Sequence, residues 1–188
     1  NGIHEALKQA RREAAAVVLA GRPGRFSAGF DLSVMTSSPE AARNLLKAGA
    51  EIAIEIHEFP MPVVVASTGH ALAMGAILLM AADTRIGADG NYKIGLNEVA
   101  IGMPVPKFAV ELARTSLSIS AFTAAVNHAT VYDPAGAVVA GYLDQVVADD
   151  EQDVGAVRGG EGGGEEEQQA THGMNRIHPS RVKSCHEV

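Results

Sequence analysis

The sequence predicts an α/β protein with largely parallel strand pairing, and three observations support this prediction. Short apolar runs of strand length alternate with longer segments of helical periodicity. The apolar runs lack polar alternation, which is typical of strands covered on both faces. Glycine and proline separate the two kinds of segment.

The first part of the chain predicts a helix, a strand, a loop and a second helix. Residues 3–13 place apolar side chains on one helical face and charges on the other. Residues 15–20 form an apolar run that predicts a buried strand, and the glycine-rich residues 21–29 predict a loop. Residues 37–40 (SSPE) predict a helix start, and Pro60 bounds the helix that follows.

The middle of the chain predicts three further strands around one buried helix. Residues 63–66 are a second apolar strand. The small residues 68–75 lead into an apolar stretch, 76–82, which is hydrophobic all round and therefore predicts a buried helix. Residues 84–88 and 92–94 predict the third and fourth strands.

The remaining elements of the folded part are three helices and a strand. Helices are predicted near residues 107–114 and 121–128. A further helix begins at the cap Asp133, with proline in its first turn, and closes at Gly141. Residues 142–147 predict the last strand of the folded part.

The periodic pattern is lost after residue 148, which predicts a single domain over residues 1–148 and a separate tail. Residues 149–188 contain nine acidic and four basic side chains, so they contribute −5 to the net charge of −7. This segment is low in complexity, rich in acidic residues and glycine, and poor in apolar residues. Such a composition predicts a disordered tail.

Composition and charge exclude several classes of protein. The net charge of −7 argues against a nucleic-acid-binding protein, which would carry a basic face. The single cysteine, Cys185, excludes an internal disulfide and has no neighbouring partner that would make it a nucleophile. No apolar run reaches 18 residues, so no membrane partner is predicted and a cytoplasmic location is expected.

Two junctions between a strand and a helix carry the strongest chemical signal. The first spans residues 26–32 (FSAGFDL) and the second residues 69–75 (GHALAMG). Small residues allow a backbone to approach a ligand closely. A helix that opens at Met74 or Gly75 would direct unpaired N–H groups outward, and two such groups aimed at one oxygen form an oxyanion hole.

Three segments together resemble the enoyl-CoA hydratase/isomerase family, also called the crotonases. They are residues 17–32 (VVLAGRPGRFSAGFDL), 62–83 (PVVVASTGHALAMGAILLMAAD) and 95–102 (GLNEVAIG), and the resemblance extends over about residues 3–148. It implies a ββα-spiral fold, here partial, and acyl-CoA thioesters as substrates. It also implies a homotrimer or hexamer for the full-length protein. No separate cofactor is expected, because coenzyme A is part of the substrate.

The resemblance assigns the site residues by position. The backbone N–H groups of Phe30 and Met74 would form the oxyanion hole. The substrate- and CoA-binding positions would be Arg25, Phe26, Ser27, Ala28, Asp31 and Gly75. Two of these positions also fit ordinary roles, since Arg25 suits a solvated loop and Asp31 suits a helix cap. The histidines lack ligand spacing, so no metal site is predicted.

The acid/base positions decide which reaction is expected. Hydratases of the family hold a water with two glutamates, and the first of these positions is Ile77 here, which cannot hold or deprotonate water. The second is present as Glu98, whose apolar neighbours should raise its pKa. One glutamate and an oxyanion hole suffice for a double-bond isomerase. Isomerisation of fatty acyl-CoA thioesters through an enolate is therefore the favoured prediction.

Three functions other than isomerisation are alternatives for this sequence. The protein could be an enoyl-CoA hydratase despite Ile77, with Asn97 or Glu111 as candidates for a different water-holding group. It could also be a non-catalytic acyl-CoA-binding member of the family. A serine protease of the related Clp type is disfavoured, because the position of its nucleophile is Ala73 here.

The two ends of the sequence suggest a piece of a longer protein. The chain starts at Asn1 within a predicted helix, whereas family members have further N-terminal strands and C-terminal helices that close the site. We therefore expect the chain as printed to be poorly active and not to form a trimer.

Overall fold

The computed structural model describes residues 2–148 with their side chains and the backbone of residues 182–186. Seven α-helices, α1 to α7, are present in these residues: Gly2–Glu13, Leu32–Ser37, Pro39–His57, Met74–Ala81, Lys107–Ser116, Ile119–His128 and Pro134–Ala140. Eight strands, β1 to β8, are Ala16–Ala20, Gly24–Ser27, Val63–Ser67, Gly69–Leu72, Thr84–Ala88, Ile94–Gly95, Gln145–Val147 and Val182–His186. A single 3₁₀ turn spans Val99–Ile101 in the same part of the chain.

The strands form two sheets with parallel pairing, which confirms the predicted α/β class. The larger sheet has five strands in the order β7-β5-β3-β1-β8, and the smaller has three in the order β2-β4-β6. Register is set by pairs such as Val17 with Val63 and Ala66 with Ile86. The chain visits the larger sheet, then the smaller sheet, then a helix, and repeats this order from β1, β3 and β5. This repetition is the predicted ββα spiral.

The two strands β2 and β4 correct the prediction, which assigned their residues to a loop and to a helix entry. Both segments contain glycine and are only four residues long, so local pattern does not mark them as strands. They become strands because they pair with each other, and β4 also pairs with β6. These contacts join residues far apart in sequence, which a local pattern cannot reveal.

The caps and the buried helix follow the sequence closely. Ser38 and Asp133 each accept a hydrogen bond from the first turn of the helix they precede, Ser38 from the Ala41 N–H group and Asp133 from the Gly136 N–H group. Pro39 and Pro134 occupy the first helical turn, where no N–H donor is needed. All eight residues of α4 are buried, which confirms the predicted buried helix.

One strand falls within the predicted tail. Strand β8, Val182–His186, pairs in parallel with β1 over its whole length, from Ala16 opposite Val182 to Ala20 opposite His186. These five residues therefore differ from the expectation of disorder, because β1 offers an edge with unpaired backbone groups that a passing strand can satisfy. Cys185 belongs to this strand. The rest of the predicted tail, residues 149–181 and 187–188, lies outside the described residues, and a domain boundary at residue 148 stays a prediction.

Membrane insertion finds no support in the helices that the structure describes, since none of them combines the length and the apolar character needed to span a bilayer.

Candidate active site

A cavity of about 270 Å³ lies where the first strand–helix junction, the second junction and the 3₁₀ turn meet. Its wall is mainly apolar, and the two polar side chains in it are those of Asn97 and Glu98. The complete lining consists of Ala28, Phe30, Leu32, Met35, Leu46, Ala73, Asn97, Glu98, Ile101, Met103, Pro104 and Pro106. An apolar cavity with few polar groups is the usual form of a small-molecule site.

The first junction turns sharply into the cavity after β2. The Phe26 side chain is fully buried in the core, so it anchors the strand end. Gly29 has a φ of 96°, a conformation that residues with a side chain rarely adopt, and its N–H donates to Ser27 Oγ at 3.3 Å. This turn brings Ala28 and Phe30 to the cavity wall.

The second junction is built around an alanine in an unusual conformation. Ala73 has a φ of 50° and a ψ of −116° and immediately precedes α4. Its own N–H donates to the Gly95 carbonyl, which ties the junction to β6. The Met74 N–H belongs to the first turn of the helix, where no carbonyl of the helix can accept it. The positive end of the helix dipole lies at the same place.

The two junctions touch each other through glycine. A Cβ atom added to Gly29 would lie 2.8 Å from Ala73 Cβ and 3.4 Å from Met74 N. A Cβ atom added to Gly75 would lie 2.5 Å from the Ser27 carbonyl oxygen. Glycine at both positions therefore allows the first junction to pack directly against the start of α4. Among the described residues, neither amide donates to another protein group.

The position of Glu98 is set by the backbone around it. Its carbonyl accepts the N–H groups of Ile101 and Met103, at 3.1 and 2.9 Å, so the turn holds the residue from both sides. The residue is only 5% exposed, and its Oε2 atom has no hydrogen-bond partner among the described residues. Burial of the carboxyl group raises its pKa above the ordinary value. The predicted rise in the pKa of Glu98 is thus confirmed.

Tyr142 contacts the segment that leads to Glu98, and the sequence analysis did not identify it. Its side chain is fully buried, and its hydroxyl accepts the Leu96 N–H at 3.4 Å. Burial raises the pKa of the Tyr142 hydroxyl above its ordinary value. No local signal could have identified Tyr142, because it follows α7 and is far from Glu98 in sequence.

The remaining predicted residues lie in different surroundings. Arg25 is exposed, and Asp31 caps α2 by accepting the Ser33 N–H at 2.8 Å. Hydrogen bonds from Ser33 lower the Asp31 pKa. The side chains of Phe26 and Met74 belong to the core, and Gly75 is buried against Ser27, so none of these three lines the cavity.

The structure separates Ile77, which stands at the missing glutamate position, from the two candidates for a different water-holding group, Asn97 and Glu111. Ile77 is 1% exposed and packs in the core. Glu111 lines a second cavity, between α3 and α5, and not the one that contains Glu98. Asn97 lines the same cavity as Glu98. His70 accepts the Lys93 N–H at 2.9 Å through Nδ1, so this side chain has a structural role.

Comparison with known proteins identifies relatives over most of the chain. The enoyl-CoA hydratase/isomerase family model matches residues 1–159. Human mitochondrial enoyl-CoA delta isomerase 1 is 31% identical over 72% of this chain and 45% of its own length. A protein of Mycobacterium avium named probable enoyl-CoA hydratase is 34% identical over 75% of this chain and 55% of its own length. The chain thus spans about half the length of these two relatives.

Solved structures of the same family share the fold. An enoyl-CoA hydratase/isomerase family protein from Pseudomonas syringae superposes with a TM-score of 0.79, is 48% identical, and covers 82% of this chain and 67% of its own. Human mitochondrial delta3-delta2-enoyl-CoA isomerase has a TM-score of 0.73 at 28% identity and covers 82% of this chain and 63% of its own. The match of the family model over residues 1–159 shows that this chain belongs to the enoyl-CoA hydratase/isomerase family.

Proposed function

We propose that the protein is a double-bond isomerase of fatty acyl-CoA thioesters, which converts a 3-enoyl thioester into the 2-enoyl isomer. The observation that carries this proposal is the buried Glu98 carboxyl group in the wall of an apolar cavity, whose Oε2 atom has no hydrogen-bond partner among the described residues. The relatives that are named isomerases support the same reaction.

Glu98 would act as the single base and acid. Its carboxylate removes a proton from C2 of the 3-enoyl thioester, and the electron pair moves into the thioester carbonyl to form an enolate. The same carboxyl group then returns the proton to C4, and the double bond moves between C2 and C3. A raised pKa suits both steps, since the carboxylate is a stronger base and the acid keeps its proton until C4 is reached.

The backbone N–H groups of Phe30 and Met74 would stabilise the enolate oxygen. Their junctions touch at Gly29 and Ala73, and the helix dipole of α4 adds positive potential at Met74. Removal of one donor from such a pair typically costs about 10²–10³ in rate. Backbone donors are independent of side-chain identity, so methionine can stand at position 74.

The CoA moiety would lie along the first junction. Arg25 is exposed and could meet a phosphate, while Ser27 and Ala28 would offer main-chain groups. Asp31 and Gly75 would contribute by shaping the loop and the helix entry, since Asp31 caps α2 and Gly75 packs on Ser27. Assembly as a homotrimer or hexamer and a cytoplasmic location remain predictions from the family.

The test is product identification with each substrate isomer. Purified protein is incubated separately with 3-enoyl-CoA and 2-enoyl-CoA, and the products are identified by liquid chromatography and mass spectrometry. Glu98→Gln, which keeps the shape and removes the base, should reduce isomerisation by at least about 10²-fold. Glu111→Gln is the matched control, because Glu111 lines the other cavity.

Two results would contradict the proposal. Unchanged isomerisation in Glu98→Gln would remove Glu98 from the mechanism. Tight CoA binding without isomerisation, and without exchange of the C2 proton in heavy water, would favour a non-catalytic acyl-CoA-binding protein.

A further inference from the structure

A glycine outside the cavity contacts one of the residues that line it. Gly49 is buried in the middle of α3 and does not itself line the cavity. A Cβ atom added to Gly49 would lie 2.3 Å from Phe30 Cζ and 2.8 Å from Phe30 Cε1. The outer edge of the Phe30 ring therefore rests on the backbone of α3. Glycine weakens a helix interior relative to alanine, so its place in α3 is explained by the ring that it makes room for.

The same helix supplies part of the cavity wall. Phe30 and Leu46 both line the cavity. Leu46 precedes Gly49 by three residues, so the two positions are neighbours on one face of α3. On the side of α3, the cavity is thus bounded by Leu46 and by Phe30, whose ring rests about one turn further along the helix. The position of this wall depends on how closely the ring approaches Gly49.

A side chain at position 49 would leave the Phe30 ring one direction in which to move. Carbon atoms in contact are normally about 3.5–4.0 Å apart, so the ring would have to shift by more than about 1 Å. Met74 Sδ lies 3.2 Å from the same added Cβ atom, and the Met74 side chain is buried. On its other sides the ring packs against α3 and the core. The empty space that Phe30 borders is the cavity, so the displaced ring would enter it.

We propose that Gly49 is a positioning residue that sets the length of acyl chain the cavity accepts, because it lets the Phe30 ring lie back against α3. This inference rests on the proposed function, since it takes the same cavity as the acyl-CoA site. Alanine at position 49 would narrow the cavity and exclude long acyl groups. Short acyl groups, which end close to the reacting carbons, would still fit.

The remaining wall is suited to a chain that extends beyond the reacting carbons. Glu98 and the Phe30 N–H would act on carbons C1 to C4. Leu32, Met35 and Ile101 continue the lining, and all three side chains are apolar. Leu32 and Ile101 are 55% and 49% exposed, so the apolar wall reaches the surface of the described structure at these side chains. We therefore expect the wild-type protein to bind long, straight-chain acyl thioesters as well as short ones.

The experiment measures acyl-chain preference by binding and by turnover in the full chain. Binding of hexanoyl-CoA and dodecanoyl-CoA is measured by calorimetry, since these saturated thioesters bind without isomerising. Isomerisation of 3-hexenoyl-CoA and 3-dodecenoyl-CoA is measured in parallel. We expect Gly49→Ala to lower the affinity and kcat/KM for the long chain, relative to the short chain, by about tenfold or more. Gly2→Ala, in open space within α1, is the matched control and should leave these ratios unchanged.

A double variant separates displacement of the ring from damage to the helix. A leucine side chain at position 30 lacks the two ring atoms that the added Cβ would meet. Phe30→Leu combined with Gly49→Ala should therefore restore binding of dodecanoyl-CoA relative to Gly49→Ala alone. If Gly49→Ala does not fold, the double variant should recover the fold, which circular dichroism measures. Failure of the double variant to recover either property would overturn the inference.

The other outcomes distinguish this inference from the proposed function. An equal loss of affinity for both chain lengths in Gly49→Ala would assign Gly49 a structural role alone and overturn the inference. Unchanged ratios in Gly49→Ala would overturn it as well. A changed binding ratio without isomerisation in any sample, wild type included, would support the inference and overturn the isomerase. Absence of acyl-CoA binding to the wild-type protein would overturn both.

Discussion

Glu98 is a carboxyl group that the fold keeps away from water, and this has a consequence for stability. A buried carboxylate with a raised pKa binds more protons in the folded state than in the unfolded state. The free energy of unfolding therefore falls as pH rises from the ordinary pKa of 4.5 through the higher folded pKa. Glu98, the proposed base, therefore lowers the stability of the folded protein at neutral pH.

We predict that Glu98→Gln stabilises the protein at pH 8 relative to wild type, by about 1 kcal/mol for each unit of pKa rise that it removes. The gain should vanish at pH 4, where the carboxyl group is protonated in both states. Urea unfolding at the two pH values measures the difference. Glu111→Gln should show no such pH dependence, and an equal effect of Glu98→Gln at both pH values would contradict the assignment.

The same carboxyl group predicts the pH dependence of activity. Isomerisation requires the carboxylate form of Glu98 at the start, so the acid limb of kcat/KM should lie above pH 4.5, the ordinary value for this group. A pH–rate profile from pH 4 to 8 measures the limb. A limb below pH 4.5 would show that another group is the base.

Ala73 is strained because its φ of 50° and ψ of −116° favour glycine. Ala73→Gly should raise the free energy of unfolding by about 1 kcal/mol, since relief of strain exceeds the entropy that glycine adds to the unfolded chain. Ala124→Gly, within α6, is the control and should lower stability by about 1 kcal/mol. Denaturant unfolding of both variants measures the two effects. A loss of stability in Ala73→Gly would contradict strain at this position.

At the scale of elements, the site depends on how closely α4 approaches the end of β2. Gly75 lies in the first turn of α4, and the Ser27 carbonyl leaves no space for a side chain there. Gly49 has a similar function within α3, because the Phe30 ring and Met74 Sδ occupy the space where its Cβ would be. Glycine lowers the helix propensity of α3 and α4, but it leaves space for the first junction to pack against both helices.

We predict that Gly75→Ala lowers the free energy of unfolding by about 1–3 kcal/mol, because the added methyl group must push Ser27 away. Isomerisation should fall as well, since the movement would disturb the oxyanion hole that we propose for the Phe30 and Met74 amides. Thermal unfolding and product formation measure the two effects. Gly2→Ala, in open space at the start of α1, is the control and should not destabilise the protein.

At the scale of the whole molecule, an ion pair joins β5 of the larger sheet to the short segment between α7 and β7. The Arg85 guanidinium contacts Asp144 at 2.6 and 3.2 Å and donates to the Gly141 carbonyl at 2.9 Å. The Arg85 N–H also donates to Asp144 at 2.7 Å. These hydrogen bonds lower the pKa of Asp144, so the pair adds stability above the unfolded pKa and loses it as pH falls through the folded pKa.

Asp144→Asn should therefore lower the free energy of unfolding at pH 7 by about 1 kcal/mol, a modest value because solvent screens the partly exposed carboxylate. The difference between variant and wild type should shrink towards pH 2. Urea unfolding at both pH values tests this. A constant difference across pH would mean that packing, and not charge, explains the loss.

Local sequence patterns were sufficient to predict most helices, the central strands and the class of the fold. Runs such as residues 15–20 and 63–66 form strands because their side chains can only be buried, and Ser38, Pro39 and Asp133 mark helix starts through their own chemistry. Strands β2 and β4 could not be predicted in this way, because they depend on pairing with each other. Strand β8 was missed for the same reason, since its partner is β1.

The sequence by itself determined the candidate base, the two junctions and the family, because these depend on residue type and spacing along the chain. Tertiary structure decided which residues share a cavity. Asn97 and Glu98 line one cavity, and Glu111 lines another. The Tyr142 hydroxyl accepts the Leu96 N–H, a contact between segments far apart in sequence. The tertiary structure also revealed the strained backbone at Ala73. The physical reason is that proximity, burial and unmet hydrogen bonds arise between segments, and a linear pattern contains no distances between segments.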